Sequence, residues 1–378
     1  MIDYEILRFI WWILIAVLLI GFAITDGFDM GVLTLLPIIG KSNVERRVMI
    51  NTVAPHWDGN QVWLLTAGGA IFAAWPTVYA VSFSGFYLAM ILVLAALFFR
   101  PVGFEYRAKI DSPKWRNAWD WGLFVGGFVP SLIFGVAFGN LLQGVPFEFN
   151  ELNQAQYTGS FFGLLNPFAL LCGALSLTML MTQGATWLQM KTTGDLRYRA
   201  RSVAQLAAII VLVIFILAGV WLYFKDGFII TSDLDHNAKS LLSNKTVAVE
   251  NGAWFRNFFE MPVLWIVPML AILGAMFTVI ASKANRSGFA FFSSSIMLLG
   301  VILTAVVSMF PFIMPSISHP EMSLTVWDST ASKYTLTVML IVACIFVPMV
   351  LAYTGWTYYK MFGRLDAKYL EDNKASAY

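Results

Sequence analysis

Eight stretches of this chain, near 8–36, 77–99, 119–143, 161–190, 203–224, 261–281, 288–313 and 334–360, are apolar over a bilayer's width. A spanning helix needs about 20 mostly apolar residues. Inside hydrocarbon every backbone N–H and C=O must find its partner within the segment, so stretches of this kind fold as helices. With 59% of residues hydrophobic and 12% charged, an ordinary soluble enzyme is excluded. The pattern predicts an all-α polytopic membrane protein forming one integral membrane domain over 1–378. The longer connections, 144–160 and 225–260, are too short for a separate soluble domain, and no internal repeat or low-complexity segment is present.

A ninth stretch, 50–74, decides the topology, because its first half is polar. If it spans, 18 of the 24 Lys and Arg fall on one side of the membrane. They lie in Lys41 to Arg47, Arg100 to Arg116, Lys191 to Arg201, Lys283 to Arg286 and the tail after Tyr359. The positive-inside rule makes that side cytoplasmic, with the N-terminus periplasmic and the C-terminus cytoplasmic. An eight-span arrangement would strand Lys41, Arg46 and Arg47 outside and leave Val62 to Trp75 without a membrane. Nine spans are therefore expected, with Asp58 near the cytoplasmic face, Trp63 deeper, and Trp75-Pro76 in a tight outer turn, as Pro suits the start of a helix. Asp3 and Glu5 stand where a signal peptide would be basic, so no cleaved leader is expected. Cys172 and Cys344 both sit in apolar runs, which argues against a disulfide framework or a cysteine metal site.

Chemistry is to be sought where charge interrupts the apolar runs. An Asp at the centre of a spanning helix costs roughly 2.5–3.5 kcal/mol, so an intramembrane ionisable residue is a functional candidate by default. VAPHWDGNQVW (53–63) concentrates His56, Asp58, Asn60 and Gln61. On a helix 57 and 61 share one face and 56 and 60 another, so no single lipid-facing stripe accommodates them. The segment must be wrapped by other helices or line hydrated space. A buried carboxylate there suits proton relay, and Pro55 frees a carbonyl one turn earlier. TDGFDMG adds Asp26 and Asp29, three apart on one face, interleaved with the small pair Gly27 and Gly31. Arg100 closes one apolar run and Asp120 opens the next, both at the boundary expected for Asp29. The plainer reading of Asp26, Asp29, Arg100 and Asp120 is a structural electrostatic cluster tying helix ends together.

Three histidines, with His236 and His319 in outer connections, do not supply the several intramembrane imidazoles that bis-His haem or haem–copper centres require. The 17 Met, scattered over apolar helices, read as packing. The chain is expected to ligate no metal or cofactor, and it has no P-loop and no nucleic-acid patch.

The segments TDGFDMGV, RRVMINTVAPHWDGNQVWLLTAGGAIFAAWP, SGFYLAMILVLAALFFRPVGFEYR, FGNLLQGVPF and the C-terminal WTYYKMFGR resemble subunit II of bacterial cytochrome bd quinol oxidases, over essentially the whole chain. The resemblance implies two four-helix bundles plus a peripheral helix in the inner membrane. It implies a complex that oxidises quinol and reduces dioxygen to water, separating charge by cytoplasmic proton uptake without pumping. Two b-type haems and one d-type haem would be held by a partner, subunit I, with a small single-helix accessory subunit, membrane lipids and a structural quinone as further associates. Joined to the residue reading, this assigns Asp58 as a proton relay at the subunit contact and His56, Asn60 and Gln61 as its water-positioning neighbours. Trp63 is assigned to an apolar oxygen route, and Asp26, Asp29, Arg100 and Asp120 to the structural cluster. A proton-coupled secondary transporter is the competing class; it predicts a second interrupted helix in an internal repeat, which is not found. A pure scaffold explains everything except the polar block.

Overall fold

The computed structural model describes residues 2–372 apart from 153, 243 and 244; Lys374, counted above with the basic side, lies outside them. The first helix, α1 (Tyr4–Ile39), is 36 residues long, about 54 Å at 1.5 Å per residue, so it projects from the hydrocarbon at both ends. A short helix α2 (Asn43–Val53) follows, opened by a capping box in which Glu45 N–H donates to Ser42 Oγ and Ser42 N–H donates to Glu45 Oε2. The ninth expected span, 50–74, is not continuous. The chain breaks at Ala54–His56, around Pro55, and α3 (Trp57–Ala74) begins a new helix of 18 residues.

The expected span 77–99 is likewise two pieces, α4 (Pro76–Gly85) and α5 (Tyr87–Tyr106). At Phe86 the backbone leaves the helical region, yet Phe86 N–H still donates to Ser82 O and Met90 N–H to Phe86 O. The junction is therefore a kink, and Gly85 there lies under Tyr157, which a β-carbon would meet at 3.2 Å. α5 runs through Pro101 to Tyr106, seven residues past the expected end.

The remaining long helices are α6 (Pro113–Gln143), α7 (Pro167–Lys191) and α8 (Gly194–Tyr223). A one-turn α9 (Arg256–Glu260) precedes α10 (Ile266–Lys283), α11 (Ser287–Met309), α12 (Lys333–Lys360) and the short α13 (Ala367–Asp372). Among the described residues, eight helices are long and apolar enough to cross a membrane; α3 is not one of them.

The fold is not purely α. The connections at one end form three two-stranded antiparallel hairpins, β1 (Phe147–Phe149) with β2 (Ala155–Tyr157), β3 (Asp226–Ile230) with β4 (Val247–Asn251), and β5 (Phe312–Met314) with β6 (Leu324–Thr325). Pairing within each hairpin satisfies backbone groups in these connections without a helix.

Helices α1, α3, α4–α5 and α6 pack as one group and α7, α8, α10 and α11 as a second, with α7 lying along α1 and α6. The closest approach is between Gly31 and Gly184. A β-carbon on Gly31 would lie 2.0 Å from Leu180 O and 2.9 Å from Gly184 N, so glycine alone allows α1 and α7 to meet backbone to backbone. α12 stands apart from both groups, with only 6% of its apolar window buried.

The ends of the bundle are distinct. At one end Arg8 is fully buried and donates to Thr330 Oγ1, His236 O, Ala238 O and Ser240 Oγ, fastening two connections to α1. Ala331 N–H donates to Ala74 O at this same end. At the other end Leu365 N–H donates to Lys191 O and Arg199 Nε to Ile39 O. His56, at the start of α3, stacks there on Tyr358 near the end of α12.

Candidate functional site

The buried polar centre of the molecule is assembled from four helices. Asp26 and Asp29 lie three residues apart on α1 and both are fully buried. Arg100 of α5, also fully buried, donates through both terminal nitrogens to Asp26, the Nη1 to Oδ2 distance being 2.9 Å. A bidentate fork of this kind is the strongest geometry available to a guanidinium and carboxylate. Its Nη2 lies 3.8 Å from Asp29 Oδ2, an ion pair without a hydrogen bond.

Asn60 of α3 completes the Asp29 side. Its Nδ2 donates to Asp29 Oδ2 at 2.8 Å, and its Oδ1 accepts from the Tyr358 hydroxyl of α12. The result is a continuous chain of polar contacts, Tyr358–Asn60–Asp29–Arg100–Asp26, joining the outlying α12 to α3, α1 and α5. Aromatic rings enclose it. His56 stacks on Tyr358 at 4.5 Å and 16° and meets Trp187 edge-on, while Trp187 stacks on Phe28 at 4.0 Å. Trp57 covers Arg100 with the guanidinium 5.8 Å from its ring.

Two carboxylates face one guanidinium here, so with both acids ionised the cluster carries one net negative charge. A single proton neutralises it. Asp29 Oδ1 and Arg100 Nε are buried without a hydrogen-bond partner, so the network is strained for partners on both its acidic and basic members.

The structure separates two sets of residues grouped above. Asp120 is not in the Arg100 cluster. It accepts from Arg107 Nε at 2.5 Å and from Arg46 Nη1 at 2.9 Å, and Arg107 also reaches Asn43 Oδ1 at 3.0 Å. Arg107, the residue capping α5, lies two turns beyond Arg100, and Asp120 falls in a separate ion-pair group tying α2, the end of α5 and α6. The polar block divides as well. His56 and Asn60 face inward to the cluster, whereas the Asp58 side chain is exposed on this chain and has no hydrogen-bond or ion-pair partner among the described residues. Asp58 is therefore not the buried carboxylate expected of it; Asp26 and Asp29 are. Asn60 is not its neighbour but the clamp on Asp29, and Gln61 is only partly buried with Asp58 on the outer side of α3.

The reason is angular. Asp58 and Asn60 are two residues apart, about 200° around a helix, so pinning Asn60 inward turns Asp58 out. Asp58, Val62, Leu65, Gly69 and Phe72 then form one exposed stripe, with open space at the β-carbon positions of Gly59, Gly68 and Gly69. Trp63 lies partly buried against α1, packed onto Gly21, where a β-carbon would sit 2.4 Å from its ring.

Tyr358, Arg107 and Arg46 were not singled out from sequence. A tyrosine near the end of an apolar run reads as an interfacial anchor, which hides Tyr358. The spacing of Arg107 from Arg100, two turns on one helix, was the available signal for the second ion-pair group.

The three histidines lie apart from one another in the sequence and in their contacts. His56 is held by aromatic stacking, and His236 Nδ1 and His319 Nε2 are engaged by Glu5 and Glu148 in the outer connections. No group of three or more His, Cys, Asp or Glu among the described residues is placed to hold a metal ion.

The chain is 71% identical over 378 residues, the full length of both, to a protein of Haemophilus influenzae described as a probable cytochrome oxidase subunit 2. It is 58% identical, again over the full length of both, to the cytochrome bd-I ubiquinol oxidase subunit 2 of Escherichia coli K12. A solved bd oxidase structure from Geobacillus thermodenitrificans superposes with a TM-score of 0.69 over 95% of this chain and 99% of that one, at 14% identity, a likeness of fold. The family model for cytochrome bd terminal oxidase subunit II matches residues 7–361, and the chain belongs to that family.

Proposed function

We propose that this chain is the non-haem subunit of a membrane-bound quinol:O2 oxidoreductase, and that it carries a proton-relay carboxylate to a contact with its haem-bearing partner, subunit I. The observation carrying this reading is the rotation of α3. Asn60, clamped between Asp29 and Tyr358, presents Asp58 on an otherwise apolar exposed stripe. A lone carboxylate facing lipid would be costly; one facing a polar partner surface or a water file is not. Relatives described as oxidase subunits supply the reaction class.

In this account the chain crosses the bacterial inner membrane nine times, with the Arg8 end periplasmic and the Leu365 end cytoplasmic. Two features support it: the opposite ends of α3 meet opposite ends of the bundle, and the basic connections gather at one of them. Asp58, near the basic end, takes protons from the cytoplasm, so charge is separated without a pump. The Asp26–Asp29–Arg100 cluster fixes α1, α3 and α5 relative to one another, and the second group at Asp120 fixes α2, α5 and α6. Trp63, packed on Gly21, lines the apolar route by which oxygen reaches the partner. Two b-type haems and one d-type haem are assigned to subunit I; two of the three histidines of this chain are engaged by Glu5 and Glu148 in the connections. Quinol oxidation also belongs to the partner. The bare face of α12 is left to lipid, to a structural quinone or to a small accessory helix.

The test is spectroscopic. Purified alone, the chain shows no haem absorbance; copurified with subunit I, the complex shows b and d bands and consumes oxygen with quinol. Haem bands from the chain alone would overturn the assignment.

A further inference from the structure

Where α8 begins, three arginines converge on a cavity of about 380 Å³. Arg197 and Arg201 come from the first turns of α8, and Arg364 from the segment after α12. Each is held in place. Arg197 Nε donates to Gln189 O at the end of α7, and Arg201 Nη2 donates to Lys283 O at the end of α10. Arg364 is fixed through its neighbours, since Leu365 N–H donates to Lys191 O and Met361 O accepts from Lys191 Nζ.

Three guanidiniums so arranged repel one another. No carboxylate among the described residues lies within ion-pair distance of any of them. By contrast Arg199, between Arg197 and Arg201 in sequence, is paired with Glu45 at 2.5 Å. The backbone also suits an anion. Gly194, at a φ of +60°, opens a 30-residue helix beside the cavity, where unpaired N–H groups and the helix dipole favour negative charge.

The cavity lies just before the apolar part of α8, and Tyr198 on its rim is 67% exposed. We propose that Arg197, Arg201 and Arg364 form a binding site for a phosphate group at the membrane boundary. Planar guanidiniums match phosphate oxygens in bidentate fashion. The phosphate is that of an anionic phospholipid or of a free phosphate compound, and the two sources are separable.

The experiment uses the assembled complex. It is placed in nanodiscs of phosphatidylcholine containing a minor fraction of phosphatidylglycerol, and bound lipid is counted by native mass spectrometry. A second arm omits the anionic lipid and titrates inorganic pyrophosphate, reading the thermal unfolding midpoint. The pocket variant carries Arg197→Gln, Arg201→Gln and Arg364→Gln. A charge-matched control carries Lys41→Gln, Lys109→Gln and Lys114→Gln, all exposed and outside the pocket. Retention of phosphatidylglycerol by wild type and control, with loss of about tenfold or more in occupancy in the pocket variant, identifies a lipid site. A pyrophosphate-dependent rise in midpoint, lost only in the pocket variant and without retained lipid, identifies a soluble phosphate ligand. If the triple variant does not assemble, Arg364→Gln alone, an exposed position, is read in the same two arms and is expected to weaken binding about tenfold. Equal lipid retention and equal pyrophosphate response in wild type, control and pocket variant would overturn the proposal, as would equal losses in pocket variant and control.

Discussion

At the scale of single residues, the cost of the buried cluster lies in its unequal charges. Arg100→Ala leaves Asp26 and Asp29 facing each other with no base, and removal of one partner from a buried ion pair costs about 3–5 kcal/mol. The expected outcome is loss of most assembled complex, measured as haem per membrane protein. Arg100→Lys restores little, because an ammonium is a point charge and cannot reproduce the fork on Asp26. Tyr358→Phe is milder. It keeps the ring stacked on His56 and removes one hydroxyl from Asn60, for a loss of about 1 kcal/mol in thermal unfolding. The acids and the arginine of this cluster were legible as charges placed where charge is expensive. Their partners were not, since a partner is set by which helices touch, and Asp120 accordingly went to Arg107 and Arg46 instead of Arg100.

At the scale of elements, glycine positions separate contacts within the chain from contacts beyond it. Gly31→Val forces α1 and α7 apart, because the added atoms would enter the Leu180 backbone; no folded chain is expected, as judged by membrane-inserted yield. An added β-carbon at Gly68 or Gly69 has nothing of this chain within 4 Å, which makes Gly68→Leu and Gly69→Leu the complementary changes. They are predicted to leave the chain itself inserted while reducing copurification with subunit I, and undiminished copurification would argue that the α3 stripe faces lipid. Helices were legible from apolar length, and their number was nearly so. Their interruptions were less so. Pro55 stands at the break before α3, although 50–74 was expected as one span, and no proline marks the kink at Phe86, where Gly85 lies against Tyr157 of a distant hairpin. The hairpins themselves occupy short connections whose pairing is decided by the helices that bring them together.

For the whole molecule, the two-ended distribution of charge makes orientation testable. In sealed right-side-out vesicles a cysteine at Glu151 is predicted to react with an impermeant maleimide and one at Lys109 only after lysis; the reverse pattern would invert the topology. The family resemblance read from the sequence covers the chain nearly end to end, and the match over residues 7–361 accords with it. The face proposed to meet subunit I was not legible, because a stripe such as Asp58, Val62, Leu65 and Phe72 becomes visible only once Asn60 has fixed the rotation of α3. The central claim is that this rotation delivers a proton-carrying acid to a neighbouring subunit. Its most direct test is oxygen consumption per haem by the Asp58→Asn complex in liposomes, with charge movement recorded in parallel. The account predicts unchanged b and d absorbance with turnover and charge movement both reduced by about tenfold or more. Full turnover and full charge movement with normal haem content would contradict it.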